Sequence, residues 1–395
     1  MGMSTDLAAR ASSGPQASIC GLGSVTGYGW GRKLMWNGML SGESAVVARS
    51  GYEAVLGHDV AYAALIPDEG PGGLSRFSGA LTFAAEEAIE DATDRGWRPG
   101  PNVGLIHAIV LGEVDLWRDF WTVRDGKLSR RDYLQLMPST PLSLLMQRHD
   151  FHGPTMGVTA MCASGNAALL TARMWIDAGI VSDVIVIATD VSALPQNIKH
   201  FVDLGVAVVD VPALDACRPF QAGSRGFPAG EASVAYVVSS GSGAPYVRVA
   251  GGAMNHDGFH VVSINPDHTQ IRRCFEDAIA NAGISPLDVA YLNAHGPGTA
   301  QCDGAEAEML DTILTEAVGV YSMKPLAGHC QGAASAVELA ATCMAYETGI
   351  IPAPPQVSAG HPRLITGASL RQPGITLKSS IGMGGHNSVV VLAEA

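Results

Sequence analysis

Short apolar runs ending in glycine turns recur along this chain and alternate with longer segments of helical spacing, a rhythm that restricts it to an α/β fold. Ala17 to Thr26 (ASICGLGSVT) reads as the first strand, Phe83 to Ala92 (FAAEEAIEDA) as an amphipathic helix and Val103 to Leu111 as a buried strand. The 47 glycines cluster between such segments, where strands must turn tightly into helices. From Gly157 an apolar lead, a turn at Cys162, a helix from about Ala163 to Ala178 and a strand from Val184 to Thr189 continue the pattern, which implies a parallel, buried sheet. The stretch from Trp117 to Gln147, rich in Trp, Arg, Asp and Leu, breaks the rhythm and reads as a helical excursion.

A second unit of similar rhythm opens at Tyr246 to Ala250. It continues with a helix near Gln270 to Ala282 and a strand from Val289 to Asn293, and closes with Leu377 to Ser380 and Val389 to Ala393. The expected organisation is a flexible lead-in over 1–15, an N-terminal half over 16–243 with a helical insertion near 115–150, and a C-terminal half over 244–395.

A formal charge of −13 argues against a nucleic-acid groove, which needs clustered Lys and Arg. The apolar runs are too short or too polar to span a bilayer, and the first twenty residues lack the apolar core of a secretory signal, so a cytoplasmic location is expected. Seven cysteines without a CxxC pair point to free thiols.

One cysteine stands apart by its context. In VTAMCASGNAALL, Cys162 sits at the start of an Ala-rich helical segment, where unpaired N–H groups and the helix dipole should favour the thiolate and could hold an oxyanion. A free cysteine is also often a small buried hydrophobe, so this turn alone leaves both readings open. Three further glycine turns follow: LNAHGPGTAQCDGAE with His295, SMKPLAGHCQGAASAVELA with Lys324 and His329, and IGMGGHNSVVVL with Met383 and Gly384. His256, His260, His268 and His386 lack confirmed metal-ligand spacing and read as structural, and no metal is expected.

The four turns, in this order and at these distances, resemble the β-ketoacyl synthases of the thiolase superfamily. The likeness extends to FAAEEAIEDA, CRPF, RGFPAGE and NHDGFH and spans about residues 16 to 395. It implies an α/β thiolase-like fold of two pseudo-symmetric halves in five layers, αβαβα. It also implies an elongating ketosynthase that joins a Cys-bound acyl group to malonyl-[acyl carrier protein] with loss of carbon dioxide, in fatty-acid or polyketide-type biosynthesis. By the same resemblance Cys162 is the nucleophile and His295 and His329 the catalytic pair. Lys324, also catalytic, pairs with a supporting Glu306, and the N–H groups of Cys162 and Met383 form the oxyanion hole. Thr299 and Gly384 would contact substrate, and Arg130 and Arg131 would face the acidic carrier; as plain surface charges they would look the same.

The resemblance further implies no organic cofactor, substrates carried on phosphopantetheine, and a homodimer, or a heterodimer with a related subunit. Two alternatives are a Cys-dependent acyltransferase without decarboxylation and a chain-length partner subunit. The retained Cys162, His295, Lys324 and His329 speak against the second. The chain departs from the family pattern at Met161 before the nucleophile, at Pro297 within the HGPGT turn and at Met383, where a phenylalanine is usual.

Overall fold

The computed structural model describes residues 16–58, 60–68, 75–122 and 130–395, with the side chains of residues 130–132 outside that description. Ten strands form the main run of an eleven-stranded central sheet, β1 (Ser18–Thr26), β2 (Val103–Ala108), β3 (Thr155–Val158), β4 (Asp183–Asp190), β5 (Ala232–Ser239), β6 (Val247–His256), β7 (Val289–Asn293), β8 (Gly319–Tyr321), β9 (Ile375–Gly382) and β10 (His386–Ala393), and the two-residue strand Gly29–Trp30 pairs with β1 off this run. From one edge to the other their order is β3-β2-β4-β5-β1-β6-β10-β9-β7-β8.

This order contains a repeat. From the junction outward, each half places its first, fifth, fourth, second and third strands in turn, and in each the successive pairings run antiparallel, antiparallel, parallel, parallel. The halves join through Ser18 and Ile19 opposite Arg248 and Val247.

Five helices complete the layers: α1 (Arg76–Asp94), α2 (Ser164–Asp177), α3 (Thr269–Asn281), α4 (Ala300–Thr312) and α5 (Ala334–Thr348). α1 covers β1, β5 and β4 on one outside face, and α3, with α4 beside it, covers β6 and β10 on the other. α2 and α5 pack on each other between the sheets, α2 touching strands of both halves. The result is the expected sequence of helix, sheet, helix, sheet, helix.

Composition explains why α2 and α5 can occupy the middle. Every residue of α5 from Ala334 to Ala345 is buried, and most are small. At Gly165 of α2 an added Cβ would lie 2.8 Å from the backbone nitrogen of Ala336, so the two helices meet at backbone contact. A Cβ on Gly23 would lie 2.1 Å from Ala84 O, which sets β1 equally close to α1.

Several elements differ in extent from their sequence pattern. α1 starts at Arg76 because Ser75 caps it, its Oγ accepting from Ser78 N–H at 3.0 Å. β2 stops at Ala108, short of the expected Leu111, and the chain turns at Gly112, whose φ is 75°. The excursion contains helices at Val114–Thr122, Arg130–Gln135 and Thr140–His149. No helix among the described residues is long and apolar enough to cross a membrane.

Candidate active site

Cys162 lies in a single 3-10 turn, Met161–Ala163, that runs straight into α2. The turn begins with Met161 in the left-handed region at φ 49°. Ser164 clamps it, its Oγ accepting from Ala160 N–H at 2.8 Å and donating to Met161 O at 2.7 Å. Ser380 of β9 donates to Cys162 O at 3.0 Å, which ties the turn to the other half of the molecule. That half carries a matching device. Gln331–Ala333 forms a 3-10 turn into α5, with Gln331 at φ 45°, and Gly332 occupies the position that corresponds to Cys162.

His295 follows β7, and two main-chain donors hold its turn: the N–H groups of His295 and Gly296 bond the two oxygens of Glu306 at 2.7 and 2.8 Å. His329 follows the short helix Lys324–Ala327, and its N–H donates to Pro228 O at 2.8 Å. The two rings stand 5.5 Å apart at 85°. A nitrogen of each lies with the Cys162 sulfur in a group whose members are within 4.8 Å of one another. All three residues are buried.

The bonds at the far side of each ring decide what the rings offer. His329 Nδ1 accepts from Gln331 N–H at 3.0 Å, and His295 Nδ1 lies 3.2 Å from the Lys324 ammonium. A donor at each Nδ1 leaves the ring proton on Nε2, so both imidazoles present an N–H. Burial, and after it the Lys324 charge, hold both well below the usual histidine range, so they stay neutral around pH 7.

Two expectations require correction. The Cys162 thiol is not acidified by its place at a helix start: burial pushes it up to about 11, outweighing the Met383 N–H bond and the Lys324 charge that favour the thiolate. Nor does Lys324 pair with Glu306. Its ammonium bonds Glu338 of α5 and His295 O, while Glu306 accepts from Ser379 Oγ at 2.5 Å besides its two main-chain donors. Glu338 also pairs with Lys378 of β9 at 2.8 Å, so two buried lysines share one carboxylate. Glu338, Lys378 and Gln331 are the residues that sequence reasoning passed over. The available signal was a lone charge within an otherwise apolar segment, Glu338 in AASAVELAA and Lys378 in ITLKSSIG.

A cavity of 310 Å³ opens over Cys162, His295 and His329, with Thr299, Pro297 and Met383 at its wall. Phe201 and Phe227, in edge contact at 5.9 Å, supply part of its apolar lining. Gly384 lies outside this wall; it borders a shallow surface hollow with Met161 and Met383. Arg130 and Arg131 open the helix Arg130–Gln135, and their side chains lie outside the described residues.

Comparison with known proteins agrees with this geometry. Residues 65–244 match the N-terminal domain of β-ketoacyl synthases and residues 246–358 the C-terminal domain. The chain belongs to the β-ketoacyl synthase family. As a member it is an acyltransferase enzyme of decarboxylative Claisen condensation in fatty-acid or polyketide synthesis. Nodulation protein E of Rhizobium sp. (strain N33) is 27% identical, with 95% of this chain and 98% of the relative covered. The 3-oxoacyl-[acyl-carrier-protein] synthase 2 of Rhizobium meliloti (strain 1021) is also 27% identical, covering 95% of this chain and 97% of the relative. Among solved structures, a type II polyketide acyl carrier protein in complex with its ketosynthase superposes with a TM-score of 0.85 at 23% identity, over 97% of this synthase and all of that chain. A β-ketoacyl synthase from Burkholderia phymatum STM815 gives 0.81 at 22% identity, over 96% and 100% of the two chains. Both likenesses are of fold.

Proposed function

We propose that Cys162 takes the acyl group from a carrier-bound thioester and that His295 and His329 drive the decarboxylation of a malonyl thioester beside it. The observation that carries this reading is the pair of neutral Nε2–H donors gathered with the Cys162 sulfur in one buried cavity. In the first step the Cys162 sulfur attacks the acyl carbonyl, the carrier sulfur leaves, and the thiol proton passes to it. The N–H groups of Cys162 and Met383 hold the oxyanion, consistent with the Met383 main chain favouring the charged form of the thiol. In the second step the malonyl carboxylate leaves as carbon dioxide, and its electron pair moves toward the thioester oxygen. The two imidazole N–H groups stabilise that oxygen. The resulting carbon nucleophile attacks the Cys162 thioester, and the sulfur departs as thiolate and takes a proton from solvent. A β-ketoacyl carrier two carbons longer is released.

Lys324 orients His295 and, with Glu338 and Lys378, fixes the site from behind. Glu306 shapes the His295 turn, Thr299 lines the substrate path, and Gly384 belongs to the loop at its mouth. No organic cofactor enters these steps, because the substrates arrive on phosphopantetheine. The carrier docks at Arg130 and Arg131, and charge reversal at both should raise its Kd. The outer edge of β3, unpaired among the described residues and exposed at Thr155 and Gly157, would seat a second copy in a homodimer. A heterodimer is the second reading: one structure of the same fold is described as a ketosynthase in complex with its chain length factor. Seven free cysteines suit a reducing compartment such as the cytoplasm.

The test is mass spectrometry of the protein given acyl carrier and then malonyl carrier. An adduct on Cys162, lost in Cys162→Ala, followed by carbon dioxide release and chain extension supports the reading; no adduct refutes it. An adduct without extension assigns simple acyl transfer instead. His295→Ala and His329→Ala should keep the adduct and lose about 10²–10³-fold in carbon dioxide release.

A further inference from the structure

We infer that Gln331 makes this site selective for acyl chains bearing a keto or hydroxyl oxygen over fully saturated chains. The inference rests on the acyl-transfer role proposed for Cys162. Gln331 lines the same cavity as the nucleophile, is only 9% exposed, and its carboxamide makes no hydrogen bond among the described residues. Apolar side chains, Phe201, Val206 and Phe227 among them, share the cavity wall with Gln331.

The main chain fixes where this amide starts. Gln331 N–H is committed to His329 Nδ1 at 3.0 Å and Gly332 N–H to Asp190 Oδ2 at 3.1 Å, so the turn is bonded on two sides. Gln331 also holds a left-handed backbone, which few side chains other than glycine adopt without strain. Its counterpart in the other half, Met161, has the same backbone but lines the surface hollow and not the cavity. A carboxamide offers two donors and an acceptor. A saturated alkyl chain satisfies none of them and strips the group of water, whereas a chain with an oxygen substituent exchanges one hydrogen bond for another.

The deciding measurement is the single-turnover rate of Cys162 acylation, followed by mass spectrometry. Octanoyl, 3-oxooctanoyl and 3-hydroxyoctanoyl thioesters of N-acetylcysteamine serve as donors, so that carrier docking and decarboxylation play no part. The native protein should favour an oxygenated chain, and Gln331→Leu should shrink the ratio of oxygenated to saturated rates by about tenfold. Gln331→Met, unbranched and of similar length, is read the same way and guards against a misfit of leucine at this backbone. Equal rates in the native protein, or a preference that survives both substitutions, overturns the inference. Failure of every donor to acylate Cys162 instead refutes the role of Cys162 on which it rests.

Discussion

At the scale of single residues, burial outweighs position. Cys162 has the helix start and the N–H neighbours that acidify thiols elsewhere, yet its enclosure pushes the thiol to about 11. The resting enzyme therefore holds a protonated nucleophile. Carbamidomethylation of Cys162, read on its peptide, should keep rising by about tenfold per pH unit from 7 to 10; a plateau near 8.5 would contradict this. The motifs made the cysteine, both histidines and Lys324 legible, because each stands at a glycine turn with a fixed neighbour pattern. The partner of Lys324 was not legible. Glu306 and Glu338 both fall within reach in sequence, and only packing shows that α5 brings Glu338 to the ammonium while Glu306 serves main-chain donors. Replacing Glu338 by Gln removes the one carboxylate with which both buried lysines, Lys324 and Lys378, make ion pairs. It should cost about 3–5 kcal/mol of stability, read from the denaturant midpoint.

At the scale of elements, the contact between α2 and α5 carries both fold and site, since each helix starts from one of the paired 3-10 turns. The backbone approach at Gly165 leaves no room for a methyl group, with Ala336 N 2.8 Å from the added carbon and Ser335 Oγ at the same distance. Gly165→Ala should destabilise the protein by about 1–3 kcal/mol and slow Cys162 acylation, because the helix that positions the thiol must shift. A chemical denaturation curve and an acylation rate check the two effects, and a variant as stable as the native protein would show that the helices can part freely. Apolar runs announced most of these elements, β7 at its full extent from Val289 to Asn293. Their pairing was another matter. Two residues of β1 meet two of β6 across more than two hundred positions, and no local pattern encodes so short a join.

For the molecule as a whole, the buried titratable groups tie stability to pH. His107 of β2 is enclosed against Phe77, its Nε2 has no partner among the described residues, and burial lowers it to about 3. Between that value and the ordinary 6.5 the unfolded chain binds a proton that the native protein refuses. Its contribution is therefore intact above pH 6.5 and is lost as pH falls, by about 1.4 kcal/mol per unit. Asp190 opposes it: burial raises that carboxyl to about 6, so the native state takes up its proton early and recovers stability on acidification. Total acid stability mixes such terms, so the informative quantity is a difference between two proteins. Unfolding free energies of native protein and His107→Leu, compared at pH 7, 6, 5 and 4, should converge or cross in the variant's favour below 6.5 with that slope. The packing change shifts the two curves by a constant and leaves the slope untouched, so parallel curves over the whole range would mean that His107 accepts its proton inside the folded core.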